Sequence, residues 1–343
     1  MEGNLSPRQI ARGLLNGILP PRPLLLPIVF ALGTKIENIK WDEYLQNPTK
    51  IVSALRQVRN HLQVDGIACY VDHYLEVQAL GARLEYKSPG EPPEVHWPSS
   101  AAPGEMRGGM RSPEEAVRNG RIPVAADVIR RLNAVPNREF LLMATVSGPK
   151  ALARKIARGE EKENTSGGEL PGEASELASA MCTQTATAFL NAGADVILIY
   201  EELPTTLSDT GCEEWKNLVA PMINVARFYE ALPVVQEKGG SSRLPVWDKA
   251  QSQERDSVVC LPASAALSHS QLWSVDAGTS AVGLALPVEA LETGHASSEE
   301  AIANLREMIV RLRPCVITTE DDVPLTTNLP HLKRVLGEIQ RPV

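Results

Sequence analysis

Gly66-Ile67-Ala68-Cys69-Tyr70-Val71-Asp72-His73-Tyr74-Leu75-Glu76-Val77-Gln78-Ala79-Leu80-Gly81 reads as a short apolar strand that ends in charge, followed by an apolar turn closing on glycine. The run Gly66–Asp72 has no polar alternation. Such a strand is covered on both faces, as in a parallel sheet buried beneath helices. An α/β enzyme tends to place its chemistry where a strand of this kind ends. Asp72 and His73, with Glu76 close behind, are therefore the first candidate functional residues.

Working outward, the same character recurs at Leu24–Leu32, Phe140–Val146, Asp195–Tyr200, Leu232–Gln236, Ser257–Cys260, Ala281–Leu286 and Cys315–Thr319. Helical periodicity separates these runs. Ser6-Pro7 opens the first helix with a cap and a first-turn proline. Asn47-Pro48 opens another, with Ile51, Leu55, Val58 and Leu62 on one face. Ala125–Leu132, Ala174–Ala192, Cys212–Tyr229, Leu267–Val275, Glu299–Leu312 and Asn328–Ile339 complete the series. Gly33 to Asn47 reads as a loop. Residues 86–111 are rich in Pro, Gly and Ser and read as an inserted loop with short antiparallel strands, and 158–172 as a solvated surface loop. Eight buried strands, each followed by a helical segment, predict an α/β fold: a (β/α)8 TIM barrel spanning 1–343 as a single domain. An open doubly wound sheet would call for a Gly-rich phosphate loop after the first strand. Leu32 is followed only by Gly33.

The chain has 343 residues, 43% hydrophobic and 22% charged, enough for a substantial core. A net charge of −8, with no basic run, argues against nucleic acid as the partner. Cys69, Cys182, Cys212, Cys260 and Cys315 are widely spaced without any CxxC, as expected of reduced thiols in the cytoplasm. The apolar run at Leu24–Leu32 is interrupted by Pro27 and too short to span a bilayer, so a soluble protein away from membranes is expected.

In a barrel the active site lies at the C-terminal ends of the strands. That rule selects Asp72, His73 and Glu76 after strand two, Ser147 after strand three, and Glu201 and Glu202 after strand four. It adds Cys260 on strand six, and Glu320, Asp321 and Asp322 after strand eight. The mouth is therefore acidic. Crowded carboxylates favour proton transfer or the binding of cations and metals. No Gly-x-Ser-x-Gly elbow and no HExxH pair is present, which argues against a serine hydrolase or a zincin.

The chain resembles the uroporphyrinogen decarboxylase superfamily, which includes haem-pathway decarboxylases and corrinoid-dependent methyltransferases on (β/α)8 barrels. The likeness lies in Ser6-Pro7-Arg8-Gln9 with Leu14-Leu15-Asn16-Gly17 and Pro21-Arg22-Pro23, and in Asp72 with Gln78-Ala79-Leu80-Gly81. It continues in Ser147-Gly148-Pro149, Ala192-Gly193-Ala194-Asp195, and Val323-Pro324 before Thr327-Asn328. The decarboxylases' Arg-Gln-Ala-Gly-Arg-Tyr loop is replaced by Ala31-Leu32-Gly33-Thr34-Lys35-Ile36-Glu37, without arginine. Lys155 stands at their tyrosine, Glu202 at their serine and Asp321 at their histidine, while Asp72 matches. Of the methyltransferases' His-x-Cys and distant Cys, Cys260 matches, Val258 replaces the histidine, and Asp321 falls at the second cysteine.

The resemblance implies methyl transfer between a small substrate and a corrinoid or thiol, with a corrinoid protein as partner. It implies Asp72, Glu201, Glu202 and Asp321 as catalytic groups and His73, Glu76, Ser147 and Lys155 as substrate contacts. It also implies a zinc site built on Cys260 and Asp321 with Glu201. Decarboxylation of uroporphyrinogen or a smaller acid, and a barrel without catalysis, are the alternatives. A homodimer is expected by analogy of fold.

Overall fold

A computed structural model describes residues 5–86, 93–98, 109–157, 172–202, 209–237, 257–263, 282–291 and 298–340. Among the described residues, ten strands follow one another. They are β1 (Leu24–Leu25), β2 (Gly66–Ala68), β3 (Arg83–Glu85), β4 (Glu94–His96), β5 (Leu141–Ser147), β6 (Val196–Glu201), β7 (Leu232–Glu237), β8 (Val258–Pro262), β9 (Val282–Leu286) and β10 (Val316–Thr319). Eight form one parallel sheet in the order β1-β10-β9-β8-β7-β6-β5-β2, so each crossover leads to the next neighbour. This is a nearly closed (β/α)8 TIM barrel, the architecture that the eight apolar runs predict. β3 and β4 pair antiparallel; β4 falls within the segment 86–111 read as an insertion, and β3 immediately precedes it.

The seam between β1 and β2 is closed by one residue. The Asp65 amide donates to the Leu25 carbonyl at 3.1 Å, and the Asp65 carboxylate accepts from the Leu25 amide at 2.9 Å. Arg22 grips the same carboxylate bidentately at 2.7 and 2.9 Å. The barrel strands are buried, and β6, β7, β8 and β9 expose nothing appreciable on either face.

The helices follow the expected caps. Ser6 and Ser112 each form a capping box, with Gln9 and Glu115 reaching back to the cap amide. Asn47 caps Pro48–Leu62 by accepting from the Lys50 amide. The first strand is shorter than the run Leu24–Leu32 suggests. Pro27 has no N–H to give to a ladder, and Ile28 donates instead to the Thr319 hydroxyl at 3.0 Å. The chain then turns at once into helices Leu32–Glu37 and Trp41–Tyr44, where the sequence reads as loop. Strand two is also shorter in the ladder, ending at Ala68 rather than Asp72. The segments read as a surface loop at 158–172 and as a helix at 267–275 lie almost wholly outside the described residues. Among the described residues, no helix is long and apolar enough to cross a membrane.

Candidate active site

Hydrogen bonds across the barrel interior locate the mouth. Gln236 on β7 donates from Nε2 to the carbonyls of Thr319 and Glu320 at the end of β10, 2.9 Å each. β8 and β9 lie between these strands in the sheet, so the amide can reach only through the interior. Tyr200 on β6 likewise donates its hydroxyl to the Glu320 carbonyl. Above this strut, His73 from the loop after β2 places Nε2 3.2 Å from Asp321 Oδ1. Its ring centroid lies 4.8 Å from that of Tyr200. Four strand ends thus meet at one imidazole, one carboxylate, one phenol and one amide. Burial, reinforced by the charges of Asp321 and Glu320, pushes the Tyr200 hydroxyl pKa well above its ordinary value, so it serves as a hydrogen-bond donor and not as an anion.

The loop carrying His73 is held from three sides. Asp72 accepts from the Tyr74 amide at 3.0 Å and pairs with Arg121 at 2.5 Å, both side chains being almost buried. Tyr86 hydrogen-bonds the same guanidinium. Lys155 donates to the His73 carbonyl at 2.6 Å and lies 5.0 Å over the Tyr74 ring. Asp72 and Lys155 therefore place the His73 backbone. Arg154 donates to the Glu202 carbonyl and fixes the other side of the rim.

Two carboxylates singled out by the strand-end rule, Glu201 and Glu76, are taken up by hydrogen bonds within the scaffold. Glu201 follows an inward-facing Tyr200 and so turns outward. Its Oε1 accepts from the amides of Ala151 (2.7 Å) and Glu202 (3.0 Å). Its Oε2 accepts from Lys150 N (3.3 Å) and Trp215 Nε1 (3.0 Å). It caps helix Pro149–Ala157, whose first amides have no partner within the helix. Gly148 is required here, because a Cβ would stand 2.5 Å from the Glu201 carboxyl carbon. Glu76 is likewise buried and accepts from Ser147 N at 3.1 Å and Ser147 Oγ at 2.8 Å, tying β5 to helix Leu75–Leu80. Burial raises both carboxyl pKa values, opposed by these donors. Glu76, Ser147 and Glu201 are thus hydrogen-bonded into the scaffold.

The implied zinc site does not fit the residues present. Cys260 faces the interior but is wholly enclosed. Its thiol occupies the space that a side chain at Gly283 would fill. Burial pushes its pKa up, with Cys315 adding to the shift, which opposes the thiolate that zinc requires. Among the described residues, no three His, Cys, Asp or Glu side chains converge on one metal position. Asp322 is a different case. Burial, with the charge of Asp321 adding, pushes its pKa up to about 8, against amide donors that include Ala31 N at 2.8 Å.

Sequence reasoning misses Arg121, Tyr200 and Gln236. Arg121 lies on no strand end, and nothing local marks it as the partner of Asp72. Tyr200 and Gln236 carry a signal in parity: each stands next to a glutamate at the end of a buried strand, and only one of two neighbours can face inward.

The model of the uroporphyrinogen decarboxylase family matches residues 28–235. No curated protein matches the chain significantly. Among solved structures, a methyltransferase from Methanosarcina mazei is similar over 98% of each chain, with 15% identity and a TM-score of 0.74. A protein assigned as a vitamin-B12-independent methionine synthase from Listeria monocytogenes is similar over 93% of this chain and 97% of its own, at 11% identity and a TM-score of 0.52. At these identities the likeness speaks for the fold.

Proposed function

Because the chain belongs to the uroporphyrinogen decarboxylase family, we propose that its mouth transfers a methyl group between a small substrate and a thiol or a corrinoid methyl carrier. The observation that carries this reading is the His73–Asp321 pair backed by Tyr200 at the C-terminal end of the barrel. Asp321 engages Nε2 and leaves Nδ1 as the nitrogen that meets a substrate. With a thiol acceptor, His73 takes the S–H proton, and the sulphur pair forms the new bond to the methyl carbon. The bond from that carbon to its donor breaks, and its electron pair leaves on the donor. A positioned base of this kind contributes roughly 10²–10⁴-fold. The corrinoid, carried by a partner protein, supplies or accepts the methyl group as a substrate. Two features weigh against uroporphyrinogen itself. The first-strand loop has no arginine, and among the described residues Arg121, Arg154 and Lys155 at the rim are engaged with Asp72 and with loop carbonyls. A polycarboxylate would meet an acidic rim.

The test is thiol-dependent demethylation of methylcobalamin, followed by its absorbance. The wild-type protein is expected to turn over, and His73→Gln to lose at least about 100-fold in kcat with its fold intact. Conversion of uroporphyrinogen to coproporphyrinogen, without thiol methylation, would establish the decarboxylase reading instead. That reading draws on Asp72, the position matching the decarboxylase pattern.

A further inference from the structure

Two aromatic side chains of one surface hairpin reach the two groups that hold the His73 loop. Arg121 pairs with Asp72 at 2.5 Å, and the Tyr86 hydroxyl accepts from that guanidinium, which can only donate. Lys155 donates to the His73 carbonyl at 2.6 Å, and the Trp97 indole Nε1 donates to the backbone carbonyl of Lys155 at 3.4 Å. Tyr86 follows β3 and Trp97 follows β4. In the antiparallel register Arg83 faces His96 and Glu85 faces Glu94, so the two aromatics stand at opposite ends of the ribbon. Four residues of strand, about 13 Å, separate them. One short ribbon therefore touches the support of Asp72 and the support of His73 at once.

The ribbon takes its place from what it docks on. An isolated two-stranded hairpin is marginally stable in water, and β3 and β4 pair over only three residues each. Arg83, Glu85, Glu94 and His96 form an exposed outer face. Leu84 and Val95 face the other way and pack, with Trp97, against the core. The chain departs at Gly81, whose φ of +119° ends helix Leu75–Leu80, the helix that directly follows the His73 loop. It returns to the same helix end, where Arg111 donates from its amide to the Leu80 carbonyl at 2.9 Å and from Nη1 to the Ala79 carbonyl at 3.0 Å. The excursion is thus pinned beside the loop, and the docking of Leu84, Val95, Tyr86 and Trp97 sets its angle to the barrel.

We propose that the β3–β4 hairpin is a strap that sets the place of the His73 ring, with Tyr86 and Trp97 as positioning residues that act through Arg121–Asp72 and through Lys155, an assignment that rests on His73 being the base of the mouth. With the strap docked, both supports stay in register and Nε2 stays on Asp321. With the strap lifted, Asp72 and the His73 carbonyl shift together, and the imidazole loses its aim. A misplaced base weakens the chemical step while substrate binding persists, so the effect falls on kcat and leaves KM unaltered.

The test follows the His73 ring signals by histidine side-chain NMR on the full chain, assigned by their loss in His73→Gln. Tyr86→Phe removes only a hydroxyl, on a residue 43% exposed, and Trp97→Phe removes the indole N–H. Each is expected to shift or broaden the His73 signals, and Tyr86→Phe to do so with an unaltered urea midpoint. Each is also expected to lower kcat for methyl transfer roughly tenfold at constant KM. Arg83→Gln, on the outer face, is expected to leave the His73 signals where they are. If Trp97→Phe does not fold, Tyr86→Phe decides. Unmoved His73 signals in the aromatic variants, or equal movement in Arg83→Gln, would overturn the strap, and so would moved signals with an unaltered kcat. The NMR readout needs no turnover, so a wild-type protein that transfers no methyl group sinks the proposed reaction while moved signals still support the strap.

Discussion

Glu201→Gln separates a scaffold role from a catalytic one. The carboxylate accepts four hydrogen bonds, two on each oxygen. Glutamine has the same shape but only one acceptor oxygen. If that oxygen keeps Ala151 and Glu202, the new NH2 faces the amide of Lys150 and the indole N–H of Trp215, donor against donor. Two charge-assisted hydrogen bonds are lost, each contributing about 1.5–3 kcal/mol. Removing a buried charge recovers part of this, since burial already raises the Glu201 pKa. A net destabilisation of about 2–4 kcal/mol is expected. For a chain of this size it lowers the melting temperature by roughly 3–6 °C. Urea and thermal unfolding measure the shift, and activity is then compared per folded molecule at a temperature where both proteins are native. Lower stability with unaltered kcat supports the capping role. An unaltered unfolding midpoint with kcat lost would refute it and return Glu201 to the catalytic residues.

The remaining expectations follow from other contacts. Asp322 binds its proton more tightly folded, at about 8, than at its ordinary value of 3.8. Folding therefore takes up a proton between those values, and this group's contribution to stability falls as pH rises from about 4 to 8. Asp322→Asn should flatten that slope in a pH series of urea midpoints. An unchanged slope would show that the carboxyl is already ionised at neutral pH. Arg121→Met leaves Asp72 buried without its cation and is expected to cost about 3–5 kcal/mol in chemical denaturation. The double variant with Asp72→Asn should recover much of that loss, and no recovery would show the two sites to be independent. Cys260→Ala is expected to retain both turnover and whatever metal content the wild type has. Loss of both together would restore the zinc reading.

What could be read in the sequence is the alternation of buried strands and amphipathic helices, because hydrophobic runs and periodicity are local. The eight apolar runs, the cap at Ser6 and the end marked by Gly81 point to the (β/α)8 barrel without any long-range information. The rule that chemistry sits at strand ends also brings forward Asp72, His73 and Asp321. It cannot assign the facing of each residue. A strand buried on both faces shows no alternation, so Tyr200 and Glu201 look equally suited to the mouth. Only closure of the barrel, which sets the register, turns Tyr200 inward and sends Glu201 to cap a helix. The same closure brings Gln236 across to β10. Arg121 reaches Asp72 from a helix start beyond the inserted segment, a proximity created by the fold alone. Element order is thus written in the chain, whereas the identity of the groups at the mouth depends on parity and register, which exist only once the sheet has closed.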